Sequence, residues 1–368
     1  MPSPVHEAIV SHLDLERDIG GYEAAAERSA EIERTYEFLG KLVGAKASNM
    51  AIVANATAGF IQSMSSFDFQ PGDTLLTSRA DYTSYQIHYL ALAQRLGVRV
   101  LHADDLPEGG IDPESVREIL RREKCRVVHV SWIPTHSGTI QDVTAIGEAC
   151  EEAGVTYMVD ACQAIGQLPI DVERVRCDYL SVTARKFLRG PRGIGFMFAS
   201  DRALTRGDHP LFVDMRGARW VAPDKYEIDP SARRFEDWEF PYALVLGLRA
   251  AAEYALEAGV EQCGERAMSL ASHLRNRLAQ IPRAEVLDRG RDLCAIVTAS
   301  IEGVEAGRIV EHLNSRGINS AASLKWYGLL DFGERGVTSA VRLSPHYFNT
   351  IEEVDRAADA LKELAPRS

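Results

Sequence analysis

Two short stretches decide the fold: Val159-Asp160-Ala161-Cys162-Gln163-Ala164, and Thr183-Ala184-Arg185-Lys186 further along. The apolar run Val155–Val159 ends on Asp160, and the next one, Tyr179–Val182, ends just before Thr183. Each reads as a buried parallel strand, since such strands are apolar on both faces and partly β-branched. Asp160 and Lys186 then stand at the carboxyl ends of neighbouring strands, where open α/β sheets place their ligands. Working outward, Ala51–Ala54, Asp73–Thr77, Val98–Leu101 and Arg126–Val130 read as further strands. Helices fall between them, from Thr57, near Tyr85–Leu96, from Asp112-Pro113-Glu114, and over Asp142–Ala153. Repeated βα units predict an α/β fold, a mostly parallel sheet between helices. After about residue 240 the pattern changes: two long helices over 241–280, strands near Ala295–Val297 and Ala340–Leu343, and helices near 305–315 and 350–365. That suits a smaller α+β domain.

The chain has 368 residues, 46% hydrophobic and 26% charged, with a formal net charge of −12. This length favours two domains. The acidic balance argues against a nucleic-acid or acidic-membrane partner. No run of 18 apolar residues is present, so no membrane span is expected, and Met1–Glu7 lacks a basic, apolar export pattern. The six cysteines form no C-x-x-C pair and no metal-like spacing, so no metal site is expected. Cys162 reads as core filler beside Asp160. A cytoplasmic, reduced setting is expected.

An acid at one strand end and a lysine after the next is the arrangement that pyridoxal phosphate (PLP) chemistry requires. The lysine amine condenses with the cofactor aldehyde, and the acid keeps the pyridine nitrogen protonated so that the ring absorbs electrons. Alone, such a pair is weak. Together with Gly190-Pro191-Arg192-Gly193-Ile194-Gly195, Asn55-Ala56-Thr57-Ala58, Arg234-Phe235-Glu236 and Val341-Arg342-Leu343-Ser344-Pro345-His346, the chain resembles the class V aminotransferase family of PLP fold-type I. That group includes cysteine desulfurases, isopenicillin N epimerase and ergothioneine C–S lyase. The resemblance implies a segment 1–21 packing on the small domain, a PLP-binding domain over 22–240 and a small domain over 241–368. It also implies a homodimer acting on a small amino-acid substrate. Relatives open with a strand and a Gly-containing loop ahead of the segment that begins here. Either translation starts upstream of Met1, the favoured reading, or the pocket is more open.

The resemblance assigns roles residue by residue. Lys186 is the Schiff-base lysine and proton shuttle, Asp160 the partner of the pyridine nitrogen, and Gln163 the hydrogen-bond partner of the phenolic oxygen. Thr57 and the Ala58 amide, at a strand-to-helix junction with free N–H groups, are phosphate ligands. Thr183 is the phosphate-contacting hydroxyl. Arg185 stands where many desulfurases have histidine and suits a phosphate as a bidentate partner. Tyr82 matches the residue stacked on the pyridine ring, where desulfurases place histidine. Arg342 matches the arginine that binds the substrate carboxylate. His136 belongs to a loop that touches cofactor and substrate in relatives; a general acid/base and an ordinary loop histidine both fit it. Asp237-Trp238-Glu239 replaces the Gly-Thr pair that lends a threonine to a neighbour's phosphate, which leaves Trp238 available as a pocket wall.

PLP does not choose the reaction; the pocket does. Persulfide-forming desulfurases need a cysteine before the final strand. The corresponding stretch, Asn319–Trp326, has none, and a persulfide cannot form without a thiol. Within the family this favours a β-eliminating C–S lyase acting on a cysteine derivative, with epimerisation and transamination as alternatives. A non-catalytic scaffold or regulator is the alternative of another class, and the intact Asp160–Gln163–Lys186 set argues against it.

Overall fold

The computed structural model describes residues 1–365. Its centre is a seven-stranded sheet. The strands are β1 (Met50–Val53), β2 (Thr74–Thr77), β3 (Arg99–His102), β4 (Cys125–Ser131), β5 (Thr156–Asp160), β6 (Tyr179–Thr183) and β7 (Gly195–Ala199). They lie in the order β1-β7-β6-β5-β4-β2-β3. The stretch from β3 through β2, β4 and β5 to β6 is parallel, and β7 runs antiparallel to both its neighbours. Only glycine fits at the start of β7: a Cβ on Gly195 would lie 2.1 Å from the Val182 carbonyl oxygen and 3.2 Å from the Asn55 Cα. That close approach brings the end of β6 against the start of the helix Ala56–Met64. The register Ser131↔Asp160↔Ser181 aligns the carboxyl ends of β4, β5 and β6.

A hairpin of β8 (Ala218–Ala222) and β9 (Lys225–Ile228) follows, and was not read from the sequence. A second sheet contains β10 (Ala284–Val286), β11 (Val297–Ile301), β12 (Ala321–Leu324) and β13 (Ser339–Leu343), antiparallel in the order β10-β11-β13-β12. The strand expected near Ala295–Val297 therefore begins at Val297. The stretch Asn319–Trp326 is mostly strand β12, followed by a 3-10 turn over Lys325–Gly328. Helices Tyr242–Ala258 and Val260–Leu278 match the long helical region expected there. The N-terminal helix Ser3–Ile19 packs along Tyr242–Ala258, close enough that a Cβ on Gly247 would lie 2.6 Å from Ile9. Helices Gly21–Glu27 and Ser29–Val43 were also unread; the second buries Ile32, Tyr36, Leu39 and Val43 along one face.

Glu236 is buried and accepts from the Ile52 amide and the Tyr36 hydroxyl, both at 2.8 Å, and from Arg216 Nε at 2.8 Å. Arg234 donates to the carbonyls of Asp229, Asp208 and Pro230 at 2.9–3.0 Å. The Arg234-Phe235-Glu236 motif thus anchors the segment after β9 to β1.

Candidate active site

Asp160 ends β5 and is 7% exposed; its Oδ1 accepts from the Cys162 amide at 2.8 Å. Thr183 ends β6, donates its amide to the Cys162 sulfur at 3.1 Å and accepts the Ala56 amide on its hydroxyl at 3.0 Å. Lys186 follows in a turn, half-buried; its carbonyl accepts the Arg189 amide at 2.9 Å, and its amine has no hydrogen bond or ion pair among the described residues. Gln163 is buried, and its Nε2 has no partner there. An unpartnered buried amide costs about 1–3 kcal/mol, a cost that a hydrogen bond to a bound group would offset.

The helix Ala56–Met64 opens beside these residues, capped by Asn55, whose Oδ1 accepts the Ala58 amide at 3.0 Å. The Ala58 amide is therefore committed to the cap, not free as expected. The Thr57 hydroxyl makes no hydrogen bond to the described residues, and its amide points out of the first turn without a partner.

Tyr82 precedes the helix Thr83–Leu96, with its ring edge-on to Tyr85 at 5.6 Å. Beneath it lies a buried network that sequence reasoning missed. Asp81 accepts from the Ser131 amide at 2.7 Å, Ser78 Oγ at 3.0 Å, the Tyr89 hydroxyl at 3.0 Å and the Thr77 hydroxyl. Burial opposes ionisation of Asp81, but His129, Thr77 and Ser131 outweigh it and hold the carboxyl below the usual range. Tyr85 was also missed. Its buried hydroxyl has no partner, and burial, then the Asp160 charge, pushes it well above the usual phenol value.

Arg342, on β13, donates through Nη1 to the Thr135 carbonyl at 2.9 Å; its Nε is buried without a partner. No carboxylate pairs with it among the described residues. Burial depresses the guanidinium, and the charge of exposed Arg185 adds to that. In an acidic chain, Lys186, Arg185 and Arg342 have no carboxylate partner among the described residues. His136 is fully buried, with Nε2 3.1 Å from Asp331 Oδ2. Asp331 lies 195 positions away, and no local pattern announces it. Trp238 lines a cleft of about 520 Å³ with Ile9, Tyr22 and Phe240, one that none of Asp160, Lys186 and Arg342 lines.

The unpartnered Gln163 amide, the buried Asp160, the open Lys186 amine and the free Thr57 donors fit a PLP molecule. The fold and this donor set define a PLP-dependent enzyme of fold-type I.

The Aminotransferase class-V profile matches residues 7–357. The chain belongs to that family. It is 24% identical over 373 residues to a probable cysteine desulfurase of Methanothermobacter thermautotrophicus, covering 99% of this chain and 92% of that protein. It is 27% identical over 297 residues to a probable cysteine desulfurase of Xylella fastidiosa, covering 80% and 70%. Among solved structures, an apo cysteine desulfurase from Thermococcus onnurineus NA1 superposes with a TM-score of 0.90 at 20% identity, covering 99% of this chain and 92% of that one. A cystine C–S lyase in complex with its product cysteine persulfide gives 0.86 at 20% identity, covering 100% and 95%.

Proposed function

We propose that the protein is a PLP-dependent C–S lyase that eliminates the sulfur substituent of a cysteine derivative without using a thiol of its own. One observation carries this reading. An open lysine, a buried aspartate and a carboxylate-free arginine accompany a stretch, Asn319–Trp326, that holds no cysteine. The similarity to a cystine C–S lyase agrees with it.

Lys186 would hold the cofactor through its amine, with Asp160 at the pyridine nitrogen and Gln163 at the phenolic oxygen. Thr57, Thr183 and Arg185 would hold the phosphate, and Tyr82 would cover the ring. Bound PLP supplies the sink for the electrons released at Cα. Arg342 binds the substrate carboxylate as a planar, two-pronged donor. The freed Lys186 amine then takes the Cα proton, and the sulfur group leaves from Cβ. Substrate binding buries the carboxylate against Arg342 and so removes an unpaired buried cation.

The reading includes a homodimer, supported by exposed Ile61, Ile87, Leu90, Leu211 and Phe212. No helix among the described residues is long and apolar enough to cross a membrane. The six free cysteines agree with a reducing, cytoplasmic setting. The test is to incubate purified holoenzyme with cysteine and cysteine S-conjugates and assay pyruvate and ammonia. Stoichiometric pyruvate is expected. Racemised substrate without pyruvate, or keto acid formed only with an added amino acceptor, overturns the lyase reading.

A further inference from the structure

Between β12 and β13, a 3-10 turn over Lys325–Gly328 and a short helix, Leu329–Glu334, form a strap that leaves the small sheet and docks on loops of the large one. Thr83 Oγ1 donates to the Tyr327 carbonyl at 2.8 Å. Arg79 Nε meets Glu334 at 3.1 Å. Between these two anchors the strap encloses His136. A Cβ on Gly328 would lie 2.6 Å from the imidazole, so the backbone can rest on the ring only because glycine stands there. Phe332 packs edge-on to the ring with centroids 4.9 Å apart. Asp331 Oδ2 faces Nε2 at 3.1 Å and also takes Arg335 Nη1 at 3.2 Å.

The chemistry of this pair fixes the proton. Burial works against ionisation of Asp331, but His136 and Arg335 outweigh it and hold its carboxyl below the usual range. An ionised carboxylate only accepts, so Nε2 carries the hydrogen. An uncharged ring in this tautomer has its lone pair on Nδ1, which is buried and has no partner among the described residues. The preceding residue, Thr135, receives Arg342 Nη1 at 2.9 Å, so the same loop reaches the candidate carboxylate site.

We propose that Asp331 is a positioning residue that presents His136 Nδ1 as a proton acceptor toward the substrate, and that docking of the strap assembles this pair. A proton passes from an acidic X–H of substrate or product, a thiol or an ammonium, to Nδ1. The resulting imidazolium is balanced by the Asp331 carboxylate, and no electrons change hands. The tautomer stands apart from the C–S lyase reading; only its use in turnover rests on that reading.

The experiment uses holoenzyme labelled with 15N at histidine. His136→Gln identifies the resonance; if that variant does not fold, Phe332→Leu, which alters only the ring packed on the imidazole, shifts and identifies it. The wild type is expected to show His136 Nδ1 in the unprotonated range and Nε2 protonated. Asp331→Asn should abolish that preference and lower kcat roughly 10- to 100-fold, by analogy with carboxylates that orient metal-bound histidines, with KM within about twofold. Rescue toward wild type is expected for Asp331→Glu. A protonated Nδ1 in the wild type overturns the proposal, whichever reaction is catalysed. An unchanged kcat in Asp331→Asn with only a lower melting temperature overturns it too, and makes the contact a structural latch. A lost tautomer preference in an enzyme that releases no pyruvate from any conjugate would leave the positioning role standing and remove the lyase reading instead.

Discussion

His346 donates through Nε2 to the Phe187 carbonyl at 3.1 Å, which ties the segment after β13 to the residue that follows Lys186. Its Nδ1 accepts the Tyr347 amide at 3.0 Å, and its ring stacks on Phe187 at 5.3 Å. Both nitrogens are therefore satisfied by the neutral ring. Burial, with the nearby Arg189 charge, lowers the group from 6.5 to about 4 although the Phe187 bond opposes this. The native state thus binds fewer protons than the unfolded chain. The stabilisation is complete above pH 6.5 and is lost as pH falls toward about 4. The full effect is roughly 3 kcal/mol. Urea unfolding followed from pH 8 to pH 4 should show this slope in the wild type and a flatter one in His346→Gln.

Arg342→Ala should raise KM for an amino-acid substrate roughly 10- to 100-fold, since a charged two-pronged contact is worth about 1.5–3 kcal/mol. Removing a carboxylate-free cation should cost little stability. Steady-state kinetics with thermal unfolding checks both. A large drop in melting temperature with KM unchanged would make Arg342 a structural residue that serves the Thr135 carbonyl alone.

Thr57→Val should weaken PLP binding roughly 10- to 100-fold, since one hydrogen bond to a charged group is worth about 1.5–3 kcal/mol. Asn55→Ala acts differently, because its side chain caps the helix through the Ala58 amide. It should cost about 1 kcal/mol of stability. Equilibrium dialysis of PLP and chemical denaturation separate the two effects.

No protein thiol takes part in the proposed chemistry. Burial raises Cys125 to about 11 and Cys162 and Cys294 to about 12, and lifts Cys150 and Cys177 further. Only Cys263 is part-exposed. Iodoacetamide at neutral pH should label Cys263 at most, by mass spectrometry, and leave turnover intact. Inactivation that follows labelling of another cysteine would bring the persulfide route back.

The large sheet was legible because its strands are short apolar runs that end on polar residues, as Val155–Val159 ends on Asp160. The candidate residues Asp160, Gln163, Thr183 and Lys186 stood out together because they sit within one βαβ stretch of chain. The helix Ser29–Val43 carried a readable signal in the spacing of Ile32, Tyr36, Leu39 and Val43, but its many charges hid it. The commitment of Ala58 to the Asn55 cap also follows from a local rule, Asn before a helix. Contacts between distant segments had no such signal. Asp331 meets His136, and Thr83 meets Tyr327, only because the strap crosses from the small sheet to the large one. Nothing in the sequence marked Tyr85, whose hydroxyl lies buried and unpartnered near Asp160.

The most direct test of the account is covalent. Holoenzyme reduced with borohydride, digested and mapped by mass spectrometry should carry the reduced PLP on the peptide containing Lys186, and Lys186→Ala should carry none. PLP found on any other lysine, or on none in the wild type, would contradict the assignment on which the site rests.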